Sequence, residues 1–296
     1  MNRNSLVLLF VFLVLFSGSA MGEDWKLSMD ANVTFTENTY SDNWVGGEAG
    51  ALIWVFNSNF LAEKQLTSSL HSRNTLKLLF GQTHNQNVET KVWRSPEKST
   101  DLIDFESVLK ITKGWIVDPF LSGRIETQFW DASDPENERY INPMKITEAL
   151  GVSKDLIKEE KREWSVRLGV ATRQYVDRDQ FVDKMVDDTK ETMTSYDGGM
   201  QFDSEFKTTF SEDKITLTSK LTVYQALVYS EKDAVAGTVA EDYWKAPDVN
   251  WENIFTANIT KYLMVNLYIQ LLYDKEVDLG GRFKQTMALG VTYKFI

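Results

Sequence analysis

The sequence predicts an all-β protein: a closed, antiparallel, up-and-down β-barrel of about twelve strands with long loops at one end. Three observations predict this fold: long segments of period-two alternation, an uneven set of connections, and aromatic residues near the segment ends. Successive side chains of a strand point to opposite faces, so alternation marks a strand with one apolar face. The last segment shows the pattern best, with alternate positions held by Phe283, Gln285, Met287, Leu289, Val291, Tyr293 and Phe295.

Eleven such runs follow one another, and several exceed the roughly five to six residues usual for strands of soluble proteins. Strands of about ten residues that are apolar on one face and polar on the other are typical of transmembrane barrels. Alternation alone also fits a soluble β-sandwich, in which the apolar faces would form the core. The runs begin near Leu27, Trp44, Leu66, Ile103, Val117, Trp164, Tyr196, Ile215, Val249, Tyr262 and Phe283.

The connections are uneven, as in outer-membrane barrels, which have short turns at the periplasmic end and long loops at the other. The short turns of one barrel must share an end, and a single-chain barrel needs an even number of strands. An extra strand over 181–186 satisfies both conditions, so twelve strands are expected, with ten as the alternative. The stretch 146–163 is rich in helix formers and is expected to hold a short helix in a long loop. Residues 113–115, 211–213 and 260–262 are the short turns, and 82–100, 131–161 and 230–248 are the long, polar connections.

Aromatic residues cluster near the ends of the predicted strands. Rings with a polar group favour the boundary between lipid and water, and transmembrane barrels carry aromatic girdles there. We therefore expect membrane-interface positions for Trp44, Trp115, Trp130, Trp164, Trp251, Tyr293 and Phe295.

The N-terminus has the parts of a secretory signal peptide. Arg3 precedes an apolar run from Leu6 to Phe16, and small residues at Ala20 and Gly22 follow. The run is too short to span a bilayer as a helix, which takes about 20 apolar residues. The sequence therefore predicts a signal peptide over 1–22, export of the Sec type, and a barrel domain over 23–296.

Composition excludes several classes of protein. The 296 residues contain no Cys and two His, which argues against thiolate or His-rich metal centres and against cysteine catalysis. A net charge of −11 argues against nucleic acid as a partner. His71 and His84 have no identifiable catalytic partner, so we expect no enzyme activity, no cofactor and no bound metal.

Short motifs recur in a fixed order through most of the chain: N-W-V-G-G at 43–47, T-Q-F at 127–129, N-W-E-N at 250–253, L-Y-D at 272–274, and F-K-Q at 283–285 with Gly290 and Y-x-F at 293–295. In this order and spacing, the set resembles a domain-of-unknown-function family of outer-membrane β-barrel proteins from Gram-negative bacteria. The resemblance implies a barrel in the outer membrane and no particular activity. The C-terminal strand resembles the signal read by barrel-assembly machinery, which implies that machinery as a partner.

If the apolar faces meet lipid, the polar faces line the lumen. Mixed charges there fit either a ladder of ion pairs that fills the barrel or an aqueous pore with charge-based selectivity. A passive pore for small solutes is the expected activity, and a non-conducting structural or interaction barrel acting through its outer loops is the alternative. We expect a monomer in contact with outer-membrane lipid. The expected lumen-lining residues are Arg73, Lys77, Glu106, Lys110, Arg124, Glu126, Arg167, Arg173, Asp203, Glu205, Lys207, Lys220, Glu252 and Lys284.

Overall fold

A computed structural model of the chain describes residues 25–40, 49–134, 136–183, 187–212 and 214–294. Twelve antiparallel strands close into a barrel in the order β1-β14-β13-β12-β11-β10-β9-β8-β5-β4-β3-β2. Strands β6 and β7 form a separate small hairpin. The strands are β1 (Lys26–Asn38), β2 (Ala51–Thr67), β3 (Leu70–Asn85), β4 (Glu97–Ile111), β5 (Asp118–Thr127), β6 (Trp130–Asp131), β7 (Arg139–Tyr140), β8 (Met144–Glu159), β9 (Arg162–Asp183), β10 (Asp187–Phe210), β11 (Ile215–Tyr229), β12 (Asp248–Asn258), β13 (Leu263–Tyr273) and β14 (Arg282–Lys294), with a 3₁₀ helix at Tyr243–Lys245.

The barrel has two different ends. The short-turn end holds the beginning of β1, the end of β14 and the brief connections such as 68–69 and 160–161. The long-loop end holds the longer connections, including 128–143 and 230–247. The predicted fold class, with twelve strands and long loops at one end, is confirmed.

Two local predictions are wrong. Residues 146–163 form no helix, because Met144–Glu159 is strand β8, bonded to β5 on one side and β9 on the other. Its Lys and Glu residues favour a helix only weakly, and two neighbouring strands override that preference. The extra strand expected over 181–186 is also wrong for its described part, since residues 181–183 are the end of β9 and β10 starts at Asp187, while 184–186 lie outside the described residues. β8 is thus the twelfth strand.

The outer face of the barrel is apolar. Leu121, Leu150, Val170 and Met200 are neighbours on four successive strands, and each side chain is about half exposed. Such a surface fits a lipid environment, because soluble proteins rarely expose apolar patches of this extent. Among the described residues, no helix is long and apolar enough to cross a membrane.

The barrel wall is uneven. β9 and β10 are 22 and 24 residues long and pair from Arg162–Thr208 to Asp183–Asp187, beyond the ends of their neighbours. On the opposite side, β1 and β14 share six residue pairs, from Asp30–Lys294 to Phe35–Leu289. We call this short ladder the seam.

The predicted signal peptide over 1–22, the girdle residues Trp44 and Phe295 and the motif at 43–47 lie largely or wholly outside the described residues.

Candidate functional site: the charged lumen

The register of the strands places charged residues on the inner face. Lys77 pairs with Asp104, Asp104 with Glu126, and Glu126 with Lys145, so one row of like-facing side chains crosses four strands. A second row joins Glu106 to Arg124. Directly paired residues share a face of the sheet, so each row faces the lumen as a unit.

Several of these charges are paired across the lumen rather than along the wall. Arg73 on β3 contacts Glu205 on β10, with Nη2 and Oε1 3.3 Å apart. Arg167 on β9 lies 2.7 Å from Glu106 on β4, and Lys220 on β11 lies 3.8 Å from the same carboxylate. These strands stand on different sides of the barrel, so the side chains bridge its interior.

The cross-lumen pairs of Arg73, Arg167 and Lys220 form a first layer, and a second layer of ion pairs lies next to it. Arg124 donates to both oxygens of Asp104 at 2.7 and 2.8 Å and contacts Glu126 at 3.0 Å. Lys77 on β3 reaches Glu252 on β12, with Nζ and Oε2 3.3 Å apart. Both side chains of this last pair are about four-fifths buried, so water screens them little.

Arg173 forms the third layer, towards the long-loop end. Its guanidinium donates to both oxygens of Asp197 at 2.9–3.1 Å and to Asp248 at 2.6 Å. Its Cζ lies 3.6 Å from the ring centre of Tyr224, whose hydroxyl donates to Asp197 at 2.5 Å. Arg173 is 5% exposed, so a charged group is held here by opposite charge and by an aromatic face.

A cavity of about 580 Å³ occupies the part of the lumen near the short-turn end. Basic and acidic side chains both line it, and the pairs of the first layer form part of its wall. Within the described residues, no group of three or more His, Asp or Glu side chains is arranged to hold a metal ion. Nine of the expected lumen-lining residues border this cavity: Arg73, Lys77, Glu106, Lys110, Arg167, Glu205, Lys207, Lys220 and Glu252.

The other expected lumen-lining residues are placed as follows. Arg124 and Glu126 belong to the second layer, and Arg173 forms the third. Asp203 lies 3.6 Å from Arg167. Lys284 shares a row with Gln270 and Glu252 and is exposed.

A compact polar assembly covers part of the long-loop end. Arg139 on β7 contacts Asp131 at 2.5 Å and Asp177 on β9 at 3.0 Å. The Asn142 amide, 1% exposed, donates to Asp131 and Asp177 and accepts from the backbone N–H of Arg178 at 2.8 Å. Burial acts to raise the pKa of Asp131, but hydrogen bonds from Ser133 and Asn142 and the charge of Arg139 bring that pKa below its usual value. We call these residues the outer assembly.

The expected girdle residues divide between the two ends. Near the short-turn end, Trp115 and Tyr293 are more than half exposed, and Trp164 is 37% exposed and donates from its indole to Ser204 at 3.0 Å. Trp251 lies in the long-loop half of β12 and donates to Ser219 at 3.0 Å. Trp130 is in β6 of the outer assembly and is half-buried.

Sequence reasoning missed Asp197, Asp248 and Lys145. All three lie on inward positions, and extending the period-two pattern of β10, β12 and β8 to those positions would have found them. It also missed Gly151 and Gly169, which face each other on β8 and β9. A Cβ at either glycine would lie 2.2–2.3 Å from a backbone oxygen of the other strand, so only glycine fits this close approach.

A closed antiparallel barrel with an even number of strands, an apolar exterior and a charged interior defines the class of outer-membrane β-barrels. Residues 35–132 match the family described as "Protein of unknown function (DUF3078)", which confirms the resemblance to a domain-of-unknown-function family.

No curated protein matches the sequence of the chain. Among solved structures, the chain is similar to the translocator domain of autotransporter NalP from Neisseria meningitidis, with 9% identity, coverage of 99% of this chain and 96% of that one, and a TM-score of 0.39. It is also similar to the COG4313 outer membrane channel from Pseudomonas putida F1, with 14% identity, coverage of 94% and 97%, and a TM-score of 0.42.

Proposed function

We propose that the chain is an outer-membrane barrel closed to solutes by ion pairs across its lumen, and that it acts as a structural or interaction protein through its outer assembly. Export of the Sec type and insertion by the barrel-assembly machinery would deliver it to the membrane. Short turns are periplasmic in barrels of this class, which puts the outer assembly outside the cell.

The cross-lumen ion pairs carry this proposal. Arg73–Glu205 and Lys77–Glu252 join strands that lie five positions apart around the twelve-stranded wall, close to the widest possible separation. A side chain that reaches its partner from the far wall occupies the space through which a solute would pass. Breaking such a pair would leave two charges without partners inside the lumen, which opposes opening of the path by thermal motion.

Conductance in a planar bilayer tests the proposal. We expect the refolded mature chain to give no steps in salt solution. A variant with Arg73, Glu205, Lys77 and Glu252 all replaced by Ser removes both members of each pair and leaves the net charge unchanged. We expect this variant to show discrete steps, because two of the ion pairs that cross the lumen no longer occupy the space between the walls.

The matched control is Lys245→Ser with Asp242→Ser, which removes an ion pair of 2.6 Å that lies exposed in the 3₁₀ segment of a loop. This control should stay silent. Heat-modifiable migration on a gel shows that each variant is folded. Steady steps from the unmodified chain would overturn the proposal.

A passive pore for small solutes is the second candidate. The 580 Å³ cavity favours it, because this space already occupies the part of the lumen near the short-turn end. Conductance by the unmodified chain, with ion selectivity shifted by charge reversal at Arg124 or Glu126, would support this candidate.

A further inference from the structure

The hairpin of β9 and β10 rises above the rest of the wall. Ser195 is 15 residues along β10 from Phe210 at the short-turn end, which is about 50 Å of strand. With a strand tilt of about 40°, this length gives a height of about 40 Å, whereas the hydrocarbon core of a bilayer is about 30 Å thick. Residues 190–195 therefore lie outside the hydrocarbon core, on the long-loop side.

One edge of this hairpin is covered. The outer assembly lies against β9, where the Asn142 side chain accepts from the backbone N–H of Arg178 at 2.8 Å and the Arg139 guanidinium donates to the Arg178 carbonyl at 3.2 Å. The Asn137 amide donates to the carbonyl of Asp179 at 2.6 Å. Side chains thus take the place of a neighbouring strand along this edge, and proteins commonly protect an exposed edge in this way.

The opposite edge of the hairpin, which belongs to β10, is open. The pairing of β10 with β11 ends where the Ser230 N–H donates to the Tyr196 carbonyl at 2.9 Å. Beyond that point, residues 190–195 pair with β9 alone among the described residues. The loop 230–247 is described in full, and its other backbone hydrogen bonds lie within the loop itself.

The direction of the backbone groups along this edge follows from the strand geometry. Backbone groups of successive strand residues point alternately to the two edges of the strand. The Tyr196 carbonyl points towards β11, so the N–H and C=O groups of Thr194 and Thr192 point the same way, into the space beyond the end of β11. Both threonine side chains are exposed. The edge therefore offers donors and acceptors at the spacing that an added strand requires.

The surroundings of the open edge are acidic. The six connections at the long-loop end carry fourteen acidic and seven basic residues, whereas the five short-turn connections carry three and four. Beside the edge, Glu191 and Asp233 are exposed. Two nearby cations are engaged elsewhere, because Lys190 donates to Asn137 at 2.7 Å and Lys245 is bonded to a carboxylate of its own loop at 2.6 Å.

We propose that the open edge of β10 binds an extended basic polypeptide segment outside the cell, which adds a strand along residues 190–195. The acidic charge of this face favours a cationic partner and opposes a second copy of the chain, whose own edge is equally acidic. The inference names the partner class for the proposed interaction role, and it rests on the outward placement of the long-loop end.

Peptide binding to the refolded full chain in detergent is the first test. The probe is a fluorescein-labelled octapeptide of alternating Lys and Val, and the matched peptide has Glu in place of Lys. Fluorescence anisotropy measures both dissociation constants. We expect the value for the basic peptide to be at least about tenfold lower than the value for the acidic peptide.

The variant Thr192→Pro separates strand addition from the attraction of charge alone. It removes the N–H that points to the open edge and removes no hydrogen bond to β9, and proline is tolerated at such positions of edge strands. We expect this variant to bind the basic peptide about tenfold more weakly. The matched control Thr192→Ala keeps the N–H and should bind as the unmodified chain does.

Hydrogen exchange gives a second readout that needs no variant. With the basic peptide bound, exchange at the Thr192 and Thr194 amides should slow at least about tenfold, because each N–H gains an acceptor. The Met193 amide points to β9, where the peptide does not reach it, so its exchange should not change. An alternating pattern of protection is therefore the signature of an added strand.

Three results would overturn the proposal. The first is equal binding of the basic and acidic peptides. The second is equal binding by Thr192→Pro and Thr192→Ala together with unchanged exchange at Thr192 and Thr194. The third is a dimer in light scattering that Thr192→Pro returns to a monomer without peptide, which would assign the edge to a second copy of this chain. A conducting barrel that still binds the basic peptide would refute the closed lumen alone, so the two proposals fail separately.

Discussion

Replacement of Arg173 by Met should cost the barrel much of its stability. The guanidinium is 5% exposed, makes three hydrogen bonds to Asp197 and one to Asp248, and lies against Tyr224. Met fills a similar volume without charge, so the two carboxylates would be left without their cation. Removing one partner of a buried ion pair costs about 3–5 kcal/mol, and we expect a loss in that range.

The double variant separates charge pairing from packing. Arg173→Met with Asp197→Asn removes both main partners, so we expect it to be more stable than the sum of the single variants predicts, by about 0.5–3 kcal/mol. Urea-driven unfolding from lipid vesicles, followed by tryptophan fluorescence, measures these free energies. Lys245→Met removes the exposed pair with Asp242 and serves as the control without a measurable effect.

Two results would refute this reasoning. A loss below about 1 kcal/mol for Arg173→Met would mean that water already reaches this layer and screens it. Simple additivity in the double variant would mean that Arg173 acts through packing rather than through its carboxylate partners.

Three further predictions concern the loops and the wall. Asn142→Ala should raise hydrogen exchange at the Arg178 amide and speed proteolysis in 128–143, because a backbone donor loses its acceptor, while the unfolding of the barrel stays unchanged. Gly151→Ala should lower stability by about 1–3 kcal/mol, since its methyl group would meet a backbone oxygen, whereas Gly123→Ala has open space around it and should be neutral. Burial and the neighbouring Asp274 raise the pKa of Glu276. The protonated carboxyl is therefore favoured in the folded chain, and the stability that Glu276 contributes at low pH is lost as the pH rises through that pKa. In urea-driven unfolding, Glu276→Gln should unfold at a higher urea concentration than the unmodified chain at pH 8 and at the same concentration at pH 4.

The strands that alternate cleanly could be predicted from sequence alone. β11 and β14 each have one apolar and one polar face, and this periodicity comes from the geometry of a strand. The strand β8 could not be predicted in this way, because its inner face carries Ala149 and Gly151, whose small side chains are neither clearly apolar nor polar in the alternating pattern. The side chains at those positions are small because β8 and β9 approach closely, and this approach depends on the tertiary structure rather than on the local sequence.

The residues that line the lumen could also be predicted, but their ion-pair partners could not. The period-two alternation of each strand is enough to place residues such as Arg73 and Glu205 on the inner face. Which of them meet depends on barrel closure, since these two are 132 positions apart in sequence and on distant strands. Only closure of the sheet into a barrel brings their side chains together across the lumen.

The uneven wall has a mechanical consequence. The long β9–β10 ladder lies opposite the seam between β1 and β14, so the barrel wall is held by many strand pairs on one side and by six on the other. Lys77 lies on β3 and Glu252 on β12, and each of these strands is the third one away from the seam on its own side. Their ion pair therefore ties the two sides of the seam together: the barrel can spread there only by stretching this pair and the other cross-lumen pairs that span the seam, such as Arg73–Glu205.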